Sequence, residues 1–217
     1  MLVERRALSS DSLSKIETEV KGCPLCRLSQ TRKNAVAGEG QISSKIMFIG
    51  EAPGKNEDQQ GKPFVGAAGK VLDGLLKNAG IDRSEVFITN VVKCRPPFNR
   101  VPHDDERTAC RPYLNRQISL INPEIICILG RTAFSSLVGG KTITSNRGKF
   151  IKKDGRKYFL TIHPAAAIYN SNLLPVLQND IVKLSEEIKK GKANNHRIDG
   201  YSKKSTTIND KGKEFSR

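Results

Sequence analysis

Three sets of residues in this chain have types and spacings that can do chemistry. One is the loop GEAPGKNEDQQGKPFVGAAG, residues 50–69, which leaves the apolar run KIMFIG. It combines Glu51, Glu57 and Asp58 with Lys55, Lys62 and a single ring, Phe64. The second is four cysteines: Cys23-Pro-Leu-Cys26, then Cys94 and Cys110 with fifteen residues between them. The third is a pair of side chains next to apolar runs, Asn90 closing EVFITN and His163 opening HPAAAIYN.

The four cysteines read as one centre. The two-residue gap in CPLC lets two thiolates reach a common metal, and four thiolates are the usual complement of a structural zinc and of an iron–sulfur cluster. Zinc sites favour two tight knuckles, whereas the second pair here is widely spaced. Spacing leans slightly towards iron–sulfur and leaves both open. Either centre would stitch the N-terminal segment to the middle of the chain. Cys127, in mid-strand in EIICILG, belongs to the core.

The loop looks like a phosphate site and fails as one. A Walker A loop needs G-x-x-x-x-G-K-[ST]. Here Gly50-Glu-Ala-Pro-Gly54-Lys55 is one residue short, and Asn56 stands where Ser or Thr should bind magnesium. Pro53 lacks an N–H, and Glu51, Glu57 and Asp58 repel phosphates. No nucleotide cofactor and no catalytic divalent metal are expected.

The elements that must position these groups follow from hydrophobic pattern. KIMFIG, EVFITNVVKC and PEIICILG are short apolar runs and read as buried strands. Residues 149–162 read as a hairpin with Asp154–Gly155 as a type I′ turn. Helices are expected over residues 1–22, from Ala68 to Ala79, over RTAFSSLVG, and from Leu173 to Lys190. DDERTACRPYLNRQISLI reads as helix broken near Cys110–Arg111, with Pro112 opening a second one. HPAAAIYN reads as a loop. Strands alternating with helices imply an α/β fold, a three-layer α/β/α sandwich with a mostly parallel sheet. Working loops then meet at the carboxyl ends of the strands, starting from Gly50, Asn90, Gly130 and His163.

The chain has 37 basic and 22 acidic residues, a net charge of +15. Residues 191–217 hold seven of the basic and three of the acidic ones, so +11 stays on residues 1–190. An excess that large carries self-repulsion and points to a polyanion, most simply nucleic acid. One domain over 1–190 and a basic, disordered tail over 191–217 are expected. No apolar run is long enough to span a membrane, and MLVERRALSSDSLSK lacks the apolar centre of a signal peptide, so a cytoplasmic protein is expected.

GEAPGKNEDQQGKPFVGAAG, ITNVVKCRPP and IHPAAA, together with CPLC, resemble the family 4 uracil-DNA glycosylases. These are the iron–sulfur branch of the uracil-DNA glycosylase superfamily, known from archaea and thermophilic bacteria. The resemblance runs from about Cys23 to about Leu184. It implies the superfamily's fold, hydrolysis of the N-glycosidic bond of uracil in DNA, and an abasic site as product. It implies a structural [4Fe–4S] cluster on Cys23, Cys26, Cys94 and Cys110. Phe64 would stack on the extruded base, Asn90 would read its Watson–Crick edge, and His163 would donate to uracil O2. The backbone N–H groups of Glu51 and Ala52, next to Gly50, would assist. Glu51 would position or activate water, with Glu57 a second candidate for that role and more readily a pocket wall that excludes the thymine methyl. Family members often carry bulky aliphatic and basic residues after the histidine. Here an expected Arg is missing, which leaves Ile168 or Tyr169 as the wedge. Lys55, Lys62, Arg95, Arg100, Arg111 and Arg147 would meet phosphates.

The expected partner is uracil-containing DNA, with the protein a monomer and the tail a docking segment for a sliding clamp or another repair protein. Rival readings are a superfamily member acting on hypoxanthine or xanthine, and a non-enzymatic nucleic-acid-binding module held together by a cluster. A ferredoxin-like carrier is less compatible with one cluster in a large basic domain.

Overall fold

The computed structural model describes residues 11–140 and 142–202. The apolar runs form five strands, β1 (Ile46–Gly50), β2 (Val86–Asn90), β3 (Ile125–Leu129), β4 (Lys149–Lys153) and β5 (Arg156–Thr161). They make one sheet in the order β2-β1-β3-β5-β4. All pairings are parallel except β4 with β5. Every residue of β1, β2 and β3 is buried, so helices cover both faces, as all-parallel strands require. β4 and β5 are joined by Asp154 (φ 49°) and Gly155 (φ 73°), the left-handed pair a type I′ turn needs.

Seven helices are present among the described residues. α1 (Leu13–Gly22) starts at Ser12, whose side chain accepts from the Lys15 N–H. α2 (Lys55–Gln60) and α3 (Ala67–Asn78) follow β1, α4 (Asp104–Ile121) follows β2, and α5 (Arg131–Leu137) follows β3. α6 (Ala165–Tyr169) and α7 (Leu174–Ser202) follow β5. Arg116 on α4 pairs with Asp11 at 2.7 Å and with Glu19 on α1. That ties the segment leading into CPLC to the helix carrying Cys110.

Three expectations are corrected. α4 is continuous through Pro112. Proline removes one hydrogen bond to the Thr108 carbonyl, but Pro112 and Thr108 both lie on the exposed face, where water can replace it. The opposite face buries Cys110, Leu114, Ile118 and Ile121, and that packing holds the helix on both sides of the ring. HPAAAIYN is not all loop: Pro164, with φ −54° and ψ −30°, starts the short helix α6. The last helix runs to Ser202, twelve residues beyond the expected boundary at Lys190. The rest of the basic tail, from residue 203, and with it any docking segment there, lies outside the described residues, as does the expected helical start at residues 1–10. No helix among the described residues is long and apolar enough to cross a membrane.

Candidate functional site

The sheet order sends β2 to one side of β1 and β3 to the other, so the crevice at their carboxyl ends is a topological switch point. A cleft of about 430 Å³ opens there. Its walls include Glu51, Phe64, Asn90, Gly130, Arg131, His163 and Tyr169. The loops after β1, β2, β3 and β5 all contribute, as the strand pattern implies.

Gly50 and Asn90 are register partners at the ends of β1 and β2. A Cβ on Gly50 would sit 2.5 Å from Asn90 Oδ1 and 2.8 Å from the Phe64 ring. Only glycine lets these two groups approach the strand end so closely. Asn90 is 1% exposed, and its Oδ1 is buried with no hydrogen-bond partner among the described residues. A buried acceptor without a donor costs free energy of about 1–3 kcal/mol, unless a ligand supplies the donor.

His163 follows β5. Gly130, with φ 91°, lets the β3 loop pass beside it, because a Cβ there would lie 3.0 Å from His163 Cβ. The Ala165 N–H donates to His163 Nδ1 at 3.2 Å. That bond leaves the proton of a neutral ring on Nε2, a donor. Burial pushes the imidazole pKa down to about 4, against a smaller opposing pull from the Glu57 carboxylate. Phe64 stacks on the ring, centroids 5.6 Å apart and planes 28° apart. Phe64 itself is 5% exposed and has a left-handed backbone, φ 51°.

The two carboxylates of the β1 loop have different surroundings. Glu57 accepts from the Val65, Gly66 and Gly54 N–H groups at 2.9, 2.7 and 3.1 Å. It therefore clamps the loop that presents Phe64. Glu51 takes one hydrogen bond on Oε2, from Thr132 Oγ1 at the start of α5. Its Oε1 has no protein partner among the described residues and remains available to a water. Thr132 and the exposed Arg131 escape sequence reasoning, because nothing in RTAF distinguishes them from an ordinary first helical turn.

Behind Asn90 lies Lys93, fully buried. Its Nζ donates to Asn90 O at 2.9 Å, Thr89 Oγ1 at 2.6 Å and Gln117 Oε1 at 2.7 Å. Burial lowers its pKa to about 8. All three ammonium protons are matched, and the Asn90 backbone is fixed from behind. The Lys93 N–H donates to Cys110 Sγ at 3.2 Å, and Arg32 Nη1 donates to Cys94 Sγ at 3.0 Å. Cys23, Cys26, Cys94 and Cys110 line one small enclosure with Val20, Leu25 and Tyr113. The donor set is all thiol, and none of the cysteines is in a disulfide. Among the described residues no group of three or more His, Cys, Asp or Glu side chains is arranged to hold a metal ion. Four thiols around one enclosure are a donor set that suits either a zinc ion or an iron–sulfur group. Cys127 is fully buried in β3.

Ile168 and Tyr169, on α6, are 47% and 90% exposed on the cleft rim. The expected phosphate-binding cations are not equivalent. Lys55, Lys62 and Arg111 are exposed; Lys55 and Lys62 belong to the segment after β1, and Arg111 to α4. Arg100 grips both oxygens of buried Glu106 at 2.6 and 2.8 Å. Arg147 pairs with buried Asp180 at 2.6 Å, and Arg95 Nε donates to Asn99 Oδ1 at 2.7 Å. Arg100 and Arg147 thus already hold carboxylates that are themselves out of water.

A family model described as the uracil DNA glycosylase superfamily matches residues 37–186. The chain is 53% identical to the type-4 uracil-DNA glycosylase of Sulfurisphaera tokodaii over 186 residues, covering 81% of this chain and 84% of that protein. It is 50% identical to the type-4 uracil-DNA glycosylase of Saccharolobus solfataricus, over 82% of this chain and 87% of that one. It is 45% identical to the type-4 uracil-DNA glycosylase of Thermotoga maritima, over 81% of this chain and 94% of that one.

Proposed function

Because the chain belongs to the uracil DNA glycosylase superfamily, we propose that its cleft takes a uracil flipped out of DNA and hydrolyses the bond between base and sugar. The protein is a uracil-DNA glycosylase that starts repair of deaminated cytosine. The observation that carries this reading to the site is the orphaned Oδ1 of buried Asn90, an acceptor waiting for a donor. Uracil N3–H is such a donor, and the amide nitrogen of the same side chain can meet O4. Cytosine presents the opposite pattern at both positions.

The chemistry needs three things from these residues. The base must leave the stack before any atom of its glycosidic bond can be reached. Phe64 gives it a flat apolar partner. As the C1′–N1 bond breaks, its electron pair goes to the uracil ring, and the sugar becomes cationic. His163, neutral with its proton on Nε2, donates to O2 and stabilises the uracil anion, assisted by the Glu51 and Ala52 backbone N–H groups. Glu51, steered by Thr132, orients water onto C1′ and favours the sugar cation through its charge. The water oxygen bonds to C1′, its proton passes to the Glu51 carboxylate and on to solvent, and uracil N1 is protonated from solvent. Glu57 keeps the pocket narrow on the side where thymine has a methyl.

Cys23, Cys26, Cys94 and Cys110 would hold a [4Fe–4S] cluster, which supplies structure and no step of the hydrolysis. A brown protein absorbing near 400 nm is expected; a colourless protein with stoichiometric zinc would refute it. DNA affinity should fall steeply with salt, as phosphate contacts by a chain of charge +15 require. The direct test of the activity is release of free uracil from a uracil-containing oligonucleotide without added cofactor or magnesium.

A further inference from the structure

The loop after β2 carries a second feature on the cleft rim. Pro96, Asn99 and Arg100 line the cleft, and Phe98 lies between them at 96% exposure. Its backbone is left-handed, φ 56° and ψ 19°, and Asn99 beside it has φ 57°. A bulky residue in that region is strained, while asparagine tolerates it. A fully solvated ring also contributes no burial. Neither property of Phe98 stabilises the fold.

The loop that presents this ring is nevertheless firmly built. Asn99 N–H donates to Pro96 O at 3.1 Å, and Arg100 N–H to Pro97 O at 3.2 Å. Arg95 Nε holds Asn99 Oδ1, and Arg100 is fixed by both oxygens of Glu106. Pro96 and Pro97 remove two backbone freedoms. Phe98 is therefore a rigidly mounted projection. Its position in the sheet order matters as well. β2 is the edge beyond β1, whereas β5 lies beyond β3, so the β2 loop and α6 flank the cleft from opposite sides. Ile168 and Tyr169 project from the α6 side, and Phe98 from the other.

We propose that Phe98 stacks on a nucleobase beside the extruded uracil, so that the DNA is held between an aromatic ring on the β2 side and the α6 projection on the β5 side. The ring suits a flat, apolar partner, and the net charge of +15 suits a polyanion; nucleic acid is both. The inference rests on the uracil-excision reading.

The test compares wild type, Phe98→Gly and Phe98→Trp on a duplex holding one 2′-fluorinated deoxyuridine, whose electron-poor sugar resists cleavage. Dissociation constants are measured over a salt series, beside thermal unfolding and calorimetric binding of free uracil. Glycine fits the left-handed backbone, so Phe98→Gly should be at least as heat-stable as wild type. Its affinity for the duplex should fall by about 5- to 150-fold, as loss of one base–aromatic stack implies. The slope of affinity against salt should not change, because no cation is removed. Free uracil should bind as before, and Phe98→Trp should keep duplex affinity. Equal duplex affinity in Phe98→Gly and wild type would overturn the proposal, and would be the outcome if the ring instead anchors a protein partner. A parallel loss of free-uracil binding would also overturn it, by showing a collapsed pocket. The excision reading is judged separately, on wild-type release of uracil from an unfluorinated duplex: no release there with stacking intact would sink that reading alone.

Discussion

The imidazole of His163 and the ring of Phe64 stack 5.6 Å apart at 28°, so the side chain proposed to meet the base also braces the one proposed to meet its leaving electrons. Phe64 covers one face of the imidazole and so contributes to the burial that lowers its pKa to about 4. Replacing Phe64 by Ala should thus do two things. Uracil binding should weaken by about 5- to 150-fold through lost stacking. The His163 midpoint, followed by NMR of the imidazole Cε1–H, should also rise towards 6.5. A variant with weaker binding but an unmoved midpoint would separate the two roles and contradict the brace.

The pH dependence follows from the same group. The folded pKa is depressed below the unfolded value of 6.5. Between about pH 4 and 6.5 the unfolded chain binds the proton and the folded one does not. Folding stability from neutral His163 is therefore complete above pH 6.5 and falls as pH drops towards 4. The rate of uracil release should show no loss from protonation of this residue at pH 5–6, where a free histidine is largely cationic. His163→Ala should cost about 100- to 1,000-fold in rate, the range for one preorganised donor. A rate limb with a midpoint near 6.5 that disappears in His163→Ala would contradict the neutral imidazole.

Glu51→Gln should lower single-turnover cleavage by about 100-fold or more, with binding of uracil-DNA kept, because the amide cannot stabilise the sugar cation or take a water proton. Thr132→Val, which removes the hydroxyl that aims the carboxylate, should lower the rate less and in the same step. Unchanged single-turnover cleavage in Glu51→Gln sinks the assignment.

Lys93→Met replaces the buried ammonium by a side chain of similar length and strands the acceptors Asn90 O, Thr89 Oγ1 and Gln117 Oε1. Each orphaned acceptor costs about 1–3 kcal/mol, so a large drop in thermal stability is expected. Uracil affinity should fall more than affinity for undamaged DNA, since the Asn90 backbone loses its anchor while surface cations stay. Equal losses on both ligands would reduce Lys93 to a general structural role.

Much of this site is legible in the sequence because it hangs on strand ends. Apolar runs ending in Gly50, Asn90, Gly130 and Ile162 fix where four loops must converge once strands alternate with helices. The loop glycines then mark where side chains press on backbone. What the sequence hides is long-range pairing. Nothing local says that Thr132 meets Glu51, 81 residues away, or that Lys93 turns inward to Asn90 and Gln117 instead of out to DNA. Nor does anything local say that Arg100 and Arg147, expected at phosphates, also pair with the buried carboxylates of Glu106 and Asp180. Pro112 misleads for a different reason: packing on the far face of α4 outweighs one lost hydrogen bond.

The central claim is tested most directly by incubating the full-length protein with a duplex containing one deoxyuridine, in chelator and without added cofactor, and measuring free base and abasic sites. Wild type should release stoichiometric uracil and leave an equal number of alkali-labile sites, with cytosine and thymine in the same duplex untouched. Protein that binds the duplex but releases no uracil would contradict it.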